Sequence, residues 1–264
     1  MHDLSRRILA VTNQKGGVGK TTTAINLGAA LARLKKRVLI VDLDPQGNAS
    51  TGLGIVPSDR MFTTYDLLVD DAALRNVVVP TQVENLFIAP ATTDLSSADV
   101  DLVGNRNRTT LLRTVLRAQG NPSFDVILID CPPALSLLTV NALVAADAAL
   151  VPLQTEFFAL EGLSQLLLTV RQVRETANPD LRVEGVVLTM FDQRNNLCRQ
   201  VEEDARETLG GLVYETRIPR NVRVSEAPSF ALPVIDYDPA SRGSEAYLEL
   251  AREFLERNEV KEKA

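Results

Sequence analysis

Residues 8–22 read Ile-Leu-Ala-Val-Thr-Asn-Gln-Lys-Gly-Gly-Val-Gly-Lys-Thr-Thr. The first four are apolar and predict a short, fully buried strand. Gly16, Gly17 and Gly19 then form a turn, and apolar residues recur at helical spacing from about Lys20 onward. A strand, a glycine-rich turn and a helix N-terminus in this order create a cradle of backbone N–H groups that binds an anion, and the helix dipole favours the same charge.

The side chains of this cradle indicate a phosphate site. In the pattern G-x-x-x-x-G-K-[ST], the lysine contacts the β- and γ-phosphates of a nucleotide and the hydroxyl contacts Mg²⁺. Lys20 and Thr21 occupy these two positions. Gln14 replaces the first glycine, and a second lysine, Lys15, lies inside the loop. We therefore expect nucleotide contacts from the loop and the first helical turn, that is from Lys15, Gly16, Gly17, Val18, Gly19, Lys20, Thr21 and Thr22.

Composition limits the classes of protein that are possible. The chain has 264 residues, of which 45% are hydrophobic, and a net charge of −6. No apolar run approaches the roughly 18 residues of a membrane helix, and the few residues before the first strand leave no room for a signal peptide. We therefore expect a cytoplasmic protein. Because the chain is acidic, any DNA binding would depend on a local basic patch.

The cysteine and histidine content narrows the chemistry further. Cys131 and Cys198 lie far apart in sequence and do not form a disulfide framework. We expect both to be buried or incidental thiols rather than ligands of an iron–sulfur cluster. The only histidine is His2, at a chain end that is expected to be frayed. Histidine-based catalytic triads and histidine-rich metal sites are therefore excluded.

Two later strands end in carboxylates. Residues 38–41 are apolar and lead into Asp42-Leu-Asp44-Pro-Gln-Gly-Asn, where the proline and glycine predict a turn. Residues 126–129 are likewise apolar and lead directly into Asp130. Acidic groups at the carboxyl ends of parallel strands lie where α/β sheets bind ligands. Beside a phosphate loop, Asp130 has the position of a strand-terminal aspartate that holds Mg²⁺, which we expect it to do through water.

Strands and helices alternate along the remaining chain. Further strands are predicted at residues 86–90, 148–152, 183–190 and 213–218. Helices are predicted at residues 63–68, 109–119, 135–146, 157–176 and 196–208, and near the C-terminus. We therefore predict a single domain over residues 1–264, built on one doubly wound, mostly parallel α/β sheet flanked by helices.

The motifs together resemble those of the ParA/Soj family of partition ATPases, within the ParA/MinD group of P-loop NTPases that carry a deviant Walker A motif. The resemblance covers nearly the whole chain. It rests on four segments, namely residues 14–22, the turn at Asp44, Asp130-Cys-Pro-Pro and residues 219–228. No helix-turn-helix segment precedes the first strand in this sequence, so the chain is most similar to the short, chromosomal form, although the motifs do not separate chromosomal from plasmid cargo.

The resemblance implies roles that spacing alone does not show. Asp44 would orient or activate the water that attacks ATP, and Lys15 would reach across a dimer to the partner's phosphates. The catalytic residues are then those that act at the phosphates, namely Lys15, Lys20 and Asp44. Pro219 and Asn221 would lie against the adenine. Asp42 would be a metal-side or switch residue.

A functional cycle is also implied by the resemblance. ATP and Mg²⁺ would bind, two copies would form a sandwich dimer, and the dimer would coat double-stranded DNA without sequence preference. A ParB-type, centromere-bound partner would stimulate hydrolysis and reset the protein. The expected location is the cytoplasm, in association with the nucleoid and not with a membrane.

Arg194 and Arg223 match positions that contact the DNA backbone in the family. Arginine suits this role because its guanidinium pairs with phosphate. Between residues 182 and 223, however, seven arginines are balanced by seven acidic residues, so an ordinary solvated face of mixed charge is the alternative. The neighbouring candidates in this segment are Arg199, Arg206 and Arg220.

Two other functions are compatible with parts of the pattern. A MinD-like ATPase that places the cell-division site would end in a basic amphipathic helix bound to lipid. Here the C-terminal segment mixes acidic and basic residues beside a short apolar face. A metabolic or cluster-assembly enzyme of the same broad class is the second alternative, and the lack of clustered cysteines argues against it.

Overall fold

The chain folds around one sheet, seen in a computed structural model that describes residues 6–262. Its strands are β1 (Arg7–Val11), β2 (Val38–Asp42), β3 (Val79–Pro80), β4 (Leu86–Ala89), β5 (Val126–Asp130), β6 (Ala148–Gln154) and β7 (Arg182–Thr189). They lie in the order β3-β4-β2-β5-β1-β6-β7. Every neighbouring pair is parallel except β3 with β4, which is antiparallel. His2 lies outside the described residues.

Helices connect these strands within residues 6–262. They are α1 (Lys20–Arg33), α2 (Asn48–Gly52), α3 (Thr64–Leu68), α4 (Leu74–Val77), α5 (Ala98–Asp101), α6 (Leu111–Leu116), α7 (Leu137–Ala145), α8 (Ala159–Thr176), α9 (Asn196–Leu209), α10 (Val222–Glu226), α11 (Val234–Tyr237) and α12 (Arg242–Glu262). Short 3₁₀ turns lie at Pro57–Asp59, Thr93–Ser97, Gly210–Leu212 and Ala227–Phe230. Each helix in this part of the chain is too short or too polar to cross a lipid bilayer.

The sheet is covered on both faces, and alternate residues of each strand enter different cores. Ile8 and Ala10 of β1 belong to one core, which includes residues of α3 to α8. Leu9 and Val11 belong to the other, which includes residues of α1, α11 and α12. Burial on both faces explains why the strands read as continuous apolar runs rather than as alternating ones. The predicted doubly wound α/β fold is confirmed.

The strand order places the ligand-binding crevice. β1 lies between β5 and β6, so the chain adds strands first on one side of β1 and later on the other. In such open sheets, ligands bind outside the carboxyl ends of the strands at the point where the order reverses. The residues that follow β1, β2 and β5 therefore meet at one edge of the sheet.

The strand predicted at residues 213–218 is wrong. The segment forms no continuous strand: one isolated bridge pairs Val213 with Val186 of β7, and another pairs Pro219, just after the segment, with Phe191. Between them, the N–H groups of Glu215 and Thr216 donate to the carboxylate of Glu253 in α12, both at 2.9 Å. A backbone N–H that is bound to a side chain cannot also enter a ladder with β7. The two-residue strand β3 was not predicted, because a pair of residues that ends in proline carries no periodicity.

Candidate nucleotide site

The site lies at the carboxyl ends of three adjacent strands. Val11 of β1 is in register with Asp130 of β5, and Asp130 is in register with Asp42 of β2. The glycine-rich loop follows β1, and the turn that carries Asp44 follows β2. Parallel pairing therefore brings together the loop and both strand-terminal carboxylates that the sequence predicted.

The loop has the backbone conformation of an anion cradle. Gly17 and Gly19 have φ of +76° and +88°, in the left-handed region that favours glycine. Thr23 N–H makes the first intrahelical bond, to Gly19 O at 2.8 Å, so the N–H groups of the preceding helical residues, Lys20 to Thr22, remain for a ligand. Apart from the chain neighbours of each glycine, no heavy atom of the described residues lies within 4 Å of where a Cβ on Gly16 or Gly17 would stand.

Long-range hydrogen bonds hold the loop in place. Asn13 accepts from the N–H of Lys15 at 3.0 Å and donates to Pro152 O at 2.8 Å. Thr189, the last residue of β7, donates through its hydroxyl to Val18 O at 2.8 Å. These hydrogen bonds involve residues of β6 and β7, which lie far from the loop in sequence, so the loop motif did not predict them. Val18 itself is buried and anchors the loop from below.

Lys20 is buried at the start of α1. Its ammonium donates to Lys15 O at 2.8 Å, so the charge lies across the loop. Burial lowers the pKa of Lys20, while the nearby carboxylates of Asp130 and Asp44 raise it in part. A buried cation beside free N–H groups and two carboxylates is suited to a polyanion bound together with a metal ion.

Asp130 is fully buried, and neither of its carboxylate oxygens has a well-formed hydrogen bond to a described residue. Burial raises its pKa well above the ordinary value, and the Asp42 carboxylate adds to this. A weaker interaction with the Thr21 hydroxyl and the charge of Lys20 act in the opposite direction. An orphaned buried carboxylate beside a hydroxyl fits Mg²⁺, which takes one or two protein groups together with waters and phosphate oxygens.

Asp44 is buried in the turn after β2. Its Oδ1 accepts from the N–H of Gln46 at 3.0 Å, and its backbone carbonyl accepts from Gly47 N–H at 2.9 Å. None of the hydrogen bonds formed within residues 6–262 uses Oδ2. One oxygen is thus held by the turn while the other can accept a hydrogen bond from a ligand.

Asp42 has a different environment from Asp44. Its Oδ2 accepts from both the N–H and the hydroxyl of Ser50, at 2.9 and 2.6 Å, and its Oδ1 accepts from Asp44 N–H at 3.3 Å. Burial raises the pKa of Asp42 to about 6 despite these bonds. Because both oxygens are occupied, the carboxylate acts as the anchor of α2, and nothing in the geometry assigns it to the metal.

Lys15 lies at the surface of the loop with its side chain 40% exposed. Its ammonium forms an ion pair with Glu156, which precedes α8. The two lysines of the loop are therefore separated: Lys20 is directed into the phosphate cradle, and Lys15 is held on the outside by an acidic residue that the sequence analysis did not single out.

Pro219 and Asn221 reach the same edge of the sheet through β7. Ile218 N–H donates to Leu188 O at 2.8 Å, which tethers the segment beside Thr189 and hence beside the loop. Asn221 is the N-cap of α10, where its Oδ1 accepts from the N–H of Arg223 at 2.8 Å. The amide nitrogen of Asn221 remains available as a donor.

The two predicted DNA contacts are paired with acidic neighbours. Arg194 has a side chain that is 91% exposed and donates twice to Asp192, at 3.1 Å in both cases. Arg223 donates to Glu226 at 3.0 Å and lies 3.2 Å from Asp238. Within the described residues, each of the two arginines is thus paired with acidic neighbours of its own.

Arg206 and the two cysteines, which the sequence analysis also considered, have partners or positions that belong to the fold. Arg206 bridges Glu202 and Glu215, both at 2.9 Å, and is thereby occupied in the fold. Cys131 and Cys198 are both buried and reduced, as expected. Burial raises the pKa of Cys131, with the charge of Asp130 adding to the effect, so this thiol is unreactive.

A glycine-rich loop between the first parallel strand and a helix, with Lys20, Thr21 and a strand-terminal Asp130, defines a P-loop nucleoside triphosphatase. A family model described as an AAA domain matches residues 6–183. The chromosome partitioning protein ParA of Caulobacter vibrioides is 55% identical over 252 residues, which cover 95% of this chain and 94% of that protein. The sporulation initiation inhibitor protein Soj of Bacillus subtilis is 55% identical over 247 residues, with 94% and 97% covered.

The chain belongs to the ParA/Soj family of chromosome-partitioning ATPases. It is therefore an ATPase that acts in partition, and its cofactors are ATP and Mg²⁺. The predicted family, enzyme class and cofactors are confirmed.

Solved structures with the same fold carry other names. Cobyrinic acid a,c-diamide synthase from Mycobacterium smegmatis, with bound ADP and magnesium, superimposes with a TM-score of 0.81 at 38% identity and covers 94% of this chain and 93% of that chain. The cell-division ATPase MinD from Pyrococcus furiosus has a TM-score of 0.78 at 27% identity, with 95% and 98% covered. The fold alone thus does not select partition, and the assignment depends on the relatives of high identity.

Proposed function

We propose that ATP binding joins two copies of this chain face to face across their phosphate loops. The observation that carries this proposal is the separation of the two loop lysines. Lys20 is buried in the cradle of its own chain, whereas the Lys15 side chain is 40% exposed and its ion pair within the described residues is with Glu156. An exposed ammonium can exchange this carboxylate for the phosphates of a second subunit, the role that a trans-acting arginine has in other NTPases.

Within one subunit, we assign hydrolysis to residues at the three strand ends. Lys20 and the free N–H groups of α1 bind the phosphates, and Thr21 and Asp130, the latter through water, would hold Mg²⁺. When bound, this ion neutralises charge on the phosphate oxygens. Asp44 accepts a hydrogen bond from the attacking water through Oδ2 and orients it, since its other oxygen is held by Gln46.

We assign the contacts with the adenine of ATP and with DNA to the segments around β7. Pro219 would pack against the adenine, and Asn221 would donate to it through the amide nitrogen that its capping role leaves available. Arg194 and Arg223 would exchange their solvent-exposed acidic partners for DNA phosphates. Exposed ion pairs contribute about 0–1 kcal/mol, so phosphate groups can displace them.

The whole chain, residues 1–264, acts as one domain in this proposal. The ATP-bound dimer binds double-stranded DNA without sequence preference and is located on the nucleoid in the cytoplasm. A ParB-type, centromere-bound protein stimulates hydrolysis and returns the chain to monomers. Support comes from the names of the relatives of high identity and from the exposed positions of Lys15, Arg194 and Arg223.

A parallel binding assay tests this function. The purified chain is mixed with plasmid DNA, and separately with anionic liposomes, in the presence of ATP, ADP or no nucleotide. We expect a gel shift only with ATP, equal for unrelated DNA sequences and lost as salt rises. ATP-dependent sedimentation with the liposomes and no shift of the DNA would instead assign the MinD-like function.

A further inference from the structure

Residues 44–60 form an excursion that leaves the sheet after β2 and carries Asp44 at its start. This excursion contains α2 and the 3₁₀ turn at Pro57–Asp59. Within residues 6–262, the hydrogen bonds that hold Asp44 come from its own turn and from Asp42. The position of its carboxylate therefore depends on whatever holds the rest of the excursion against the protein.

One attachment comes from Asp42 and Ser50. The Ser50 hydroxyl donates to Asp42 Oδ2 at 2.6 Å and accepts from the N–H of Ala91 at 3.1 Å. Ala91 follows β4, on the far side of β2 from the phosphate loop. This attachment is fully buried and holds the middle of the excursion.

A second attachment comes from the guanidinium of Arg60, at the end of the excursion. It donates to Ala91 O at 2.7 Å, to the Thr51 hydroxyl at 2.8 Å and to Ile55 O at 3.0 and 2.7 Å. Both peptide groups of Ala91 are thus used: Ser50 takes its N–H and Arg60 takes its carbonyl. The excursion is closed onto β4 at two points.

The guanidinium also covers the turn that carries Asp44. A Cβ placed on Gly47 would stand 2.5 Å from Arg60 Nη1 and 2.9 Å from Ala91 O. Gly47 N–H closes the turn on Asp44 O at 2.9 Å. The backbone of Gly47 therefore lies between Asp44 and the Arg60 side chain, and a shift of Arg60 opens space directly behind the turn.

We propose that Arg60 is a positioning residue for ATP hydrolysis, which holds the Gly47 backbone so that the Asp44 carboxylate faces the attacking water. The inference rests on the proposed role of Asp44. Within the described residues, the hydrogen bonds of Arg60 reach neither the phosphate loop nor the strand-terminal Asp130, so Arg60 affects the rate of hydrolysis and leaves ATP binding intact. A lysine cannot replace it, because one ammonium cannot reach acceptors in α2, after α2 and after β4 in a planar fork.

Steady-state ATPase kinetics of the full chain test this inference. In Arg60→Met, we expect kcat to fall about tenfold to a hundredfold, the effect of displacing a reacting group by roughly 1 Å, while KM stays within about twofold of wild type. Arg60→Lys should show nearly the same loss. Thr51→Val removes a single acceptor from an exposed helix position and should lower kcat about threefold without a risk to folding.

Arg117→Met is the matched control. Arg117 is also partly buried and pairs with Asp147 at 2.6 Å, but it lies next to the start of β6, at the opposite end of the sheet. It should leave kcat unchanged even if it lowers the melting temperature. A kcat for Arg60→Met within twofold of wild type, an equal loss in Arg117→Met, or full recovery in Arg60→Lys would overturn the inference.

Asp44→Asn distinguishes a failure of the role proposed for Asp44 from a failure of the inference about Arg60. If Asp44→Asn hydrolyses ATP at the wild-type rate, the assignment of Asp44 fails and the inference about Arg60 fails with it. If Asp44→Asn is inactive while Arg60→Met is normal, only the inference is overturned. We expect Arg60→Met to add no further loss when it is combined with Asp44→Asn, since both changes remove the same orientation of water.

Discussion

The cations of this protein lie in two contrasting regions. Lys20 is buried among loop N–H groups and carboxylates, and burial lowers its pKa. Arg194 has a side chain that is 91% exposed, and its hydrogen bonds to Asp192 raise its pKa. Both carry one positive charge, but one is held by the backbone of the fold and the other by a neighbouring side chain in water.

The difference teaches how much a single charge can do in each place. An interaction between charges weakens as the effective dielectric constant rises, and salt screens it further at the surface. A single buried lysine in the phosphate loop can therefore contribute a large part of the binding energy for ATP. Each surface arginine contributes little, so DNA binding needs several of them together. Variants should follow the same order, from the buried loop to the exposed face.

Lys20→Ala should have the largest effect. Removal of a buried cation leaves the phosphates without their main partner, so ATP affinity should fall about a thousandfold. Isothermal titration with ATP and Mg²⁺ measures this change. Lys35→Ala, an exposed lysine at the end of α1 whose contact with Glu84 is 3.9 Å, is the control and should bind ATP normally.

Asp44→Ala should abolish most of the hydrolysis while it preserves ATP binding and ATP-dependent dimerisation. Loss of the group that orients the attacking water should lower kcat by several hundredfold. Phosphate release under saturating ATP measures the rate, and light scattering measures the dimer. Turnover close to wild type in a folded variant would refute the assignment of Asp44.

Lys15 is intermediate between the two regions, because its side chain is 40% exposed, and Lys15→Ala should have an intermediate effect. The monomer should bind ATP with normal affinity, while dimerisation with ATP should weaken about a hundredfold through loss of a charge pair across the interface. Sedimentation velocity with ATP decides the point. If Lys15→Ala dimerises as the wild type does, the loop lysine has no role in trans.

Arg194→Glu and Arg223→Glu should each weaken ATP-dependent DNA binding about tenfold at moderate salt and leave dimerisation unchanged. Asp192→Asn is an informative companion, because it frees Arg194 from its acidic partner and should tighten DNA binding. Arg75→Glu, at an exposed position of α4, is the matched charge reversal and should have no effect beyond a small change in salt dependence. Gel shifts at two salt concentrations measure all four.

Glu253→Gln tests a partly buried charge outside both regions. Burial alone would raise the pKa of Glu253, but donors from Thr216 and Glu215, together with Arg257, lower it. A lowered pKa in the folded state gives stability that is present above the ordinary glutamate pKa of about 4.3 and is lost as pH falls through the folded value. The melting temperature should drop by a few degrees at pH 7, and the difference should shrink below about pH 4.

The matched control for that measurement is Glu249→Gln, one helical turn earlier on α12 and exposed. It should leave the melting temperature unchanged at every pH. A pH-independent drop in Glu253→Gln would show that packing, and not the carboxylate charge, holds the segment around Thr216.

Much of the site could be predicted because its parts are local in sequence. The turn at Gly17 and Gly19, the lysine that follows it and the carboxylates at Asp44 and Asp130 each occur next to an apolar strand. Parallel strands that end at one edge of a sheet must bring such residues together. The apolar runs of β1, β2 and β5 were recognised for the same reason, since burial on both faces removes any polar alternation.

Hydrogen-bond partners that are far apart along the chain could not be predicted from the sequence. The strand at residues 213–218 was predicted from its apolar residues, but Glu253, 37 residues after Thr216, takes the N–H groups that a strand would need. The resemblance implied a metal-side or switch role for Asp42, and no motif indicated that Ser50 would donate two hydrogen bonds to its carboxylate. No motif indicated that Arg60 would close the excursion onto Ala91.

The sequence by itself determined the phosphate loop and the strand-terminal carboxylates, because covalent neighbours and strand periodicity place these residues whatever the rest of the chain does. The resemblance of these motifs to those of a known family indicated the family. Tertiary structure alone decided which side chains hold the motifs: Glu156 on Lys15, Thr189 on Val18 and Arg60 over Gly47. These contacts join residues that only the closed sheet brings within hydrogen-bond distance. A hydrogen bond needs a donor and an acceptor at about 3 Å, and separation along the chain says nothing about that distance.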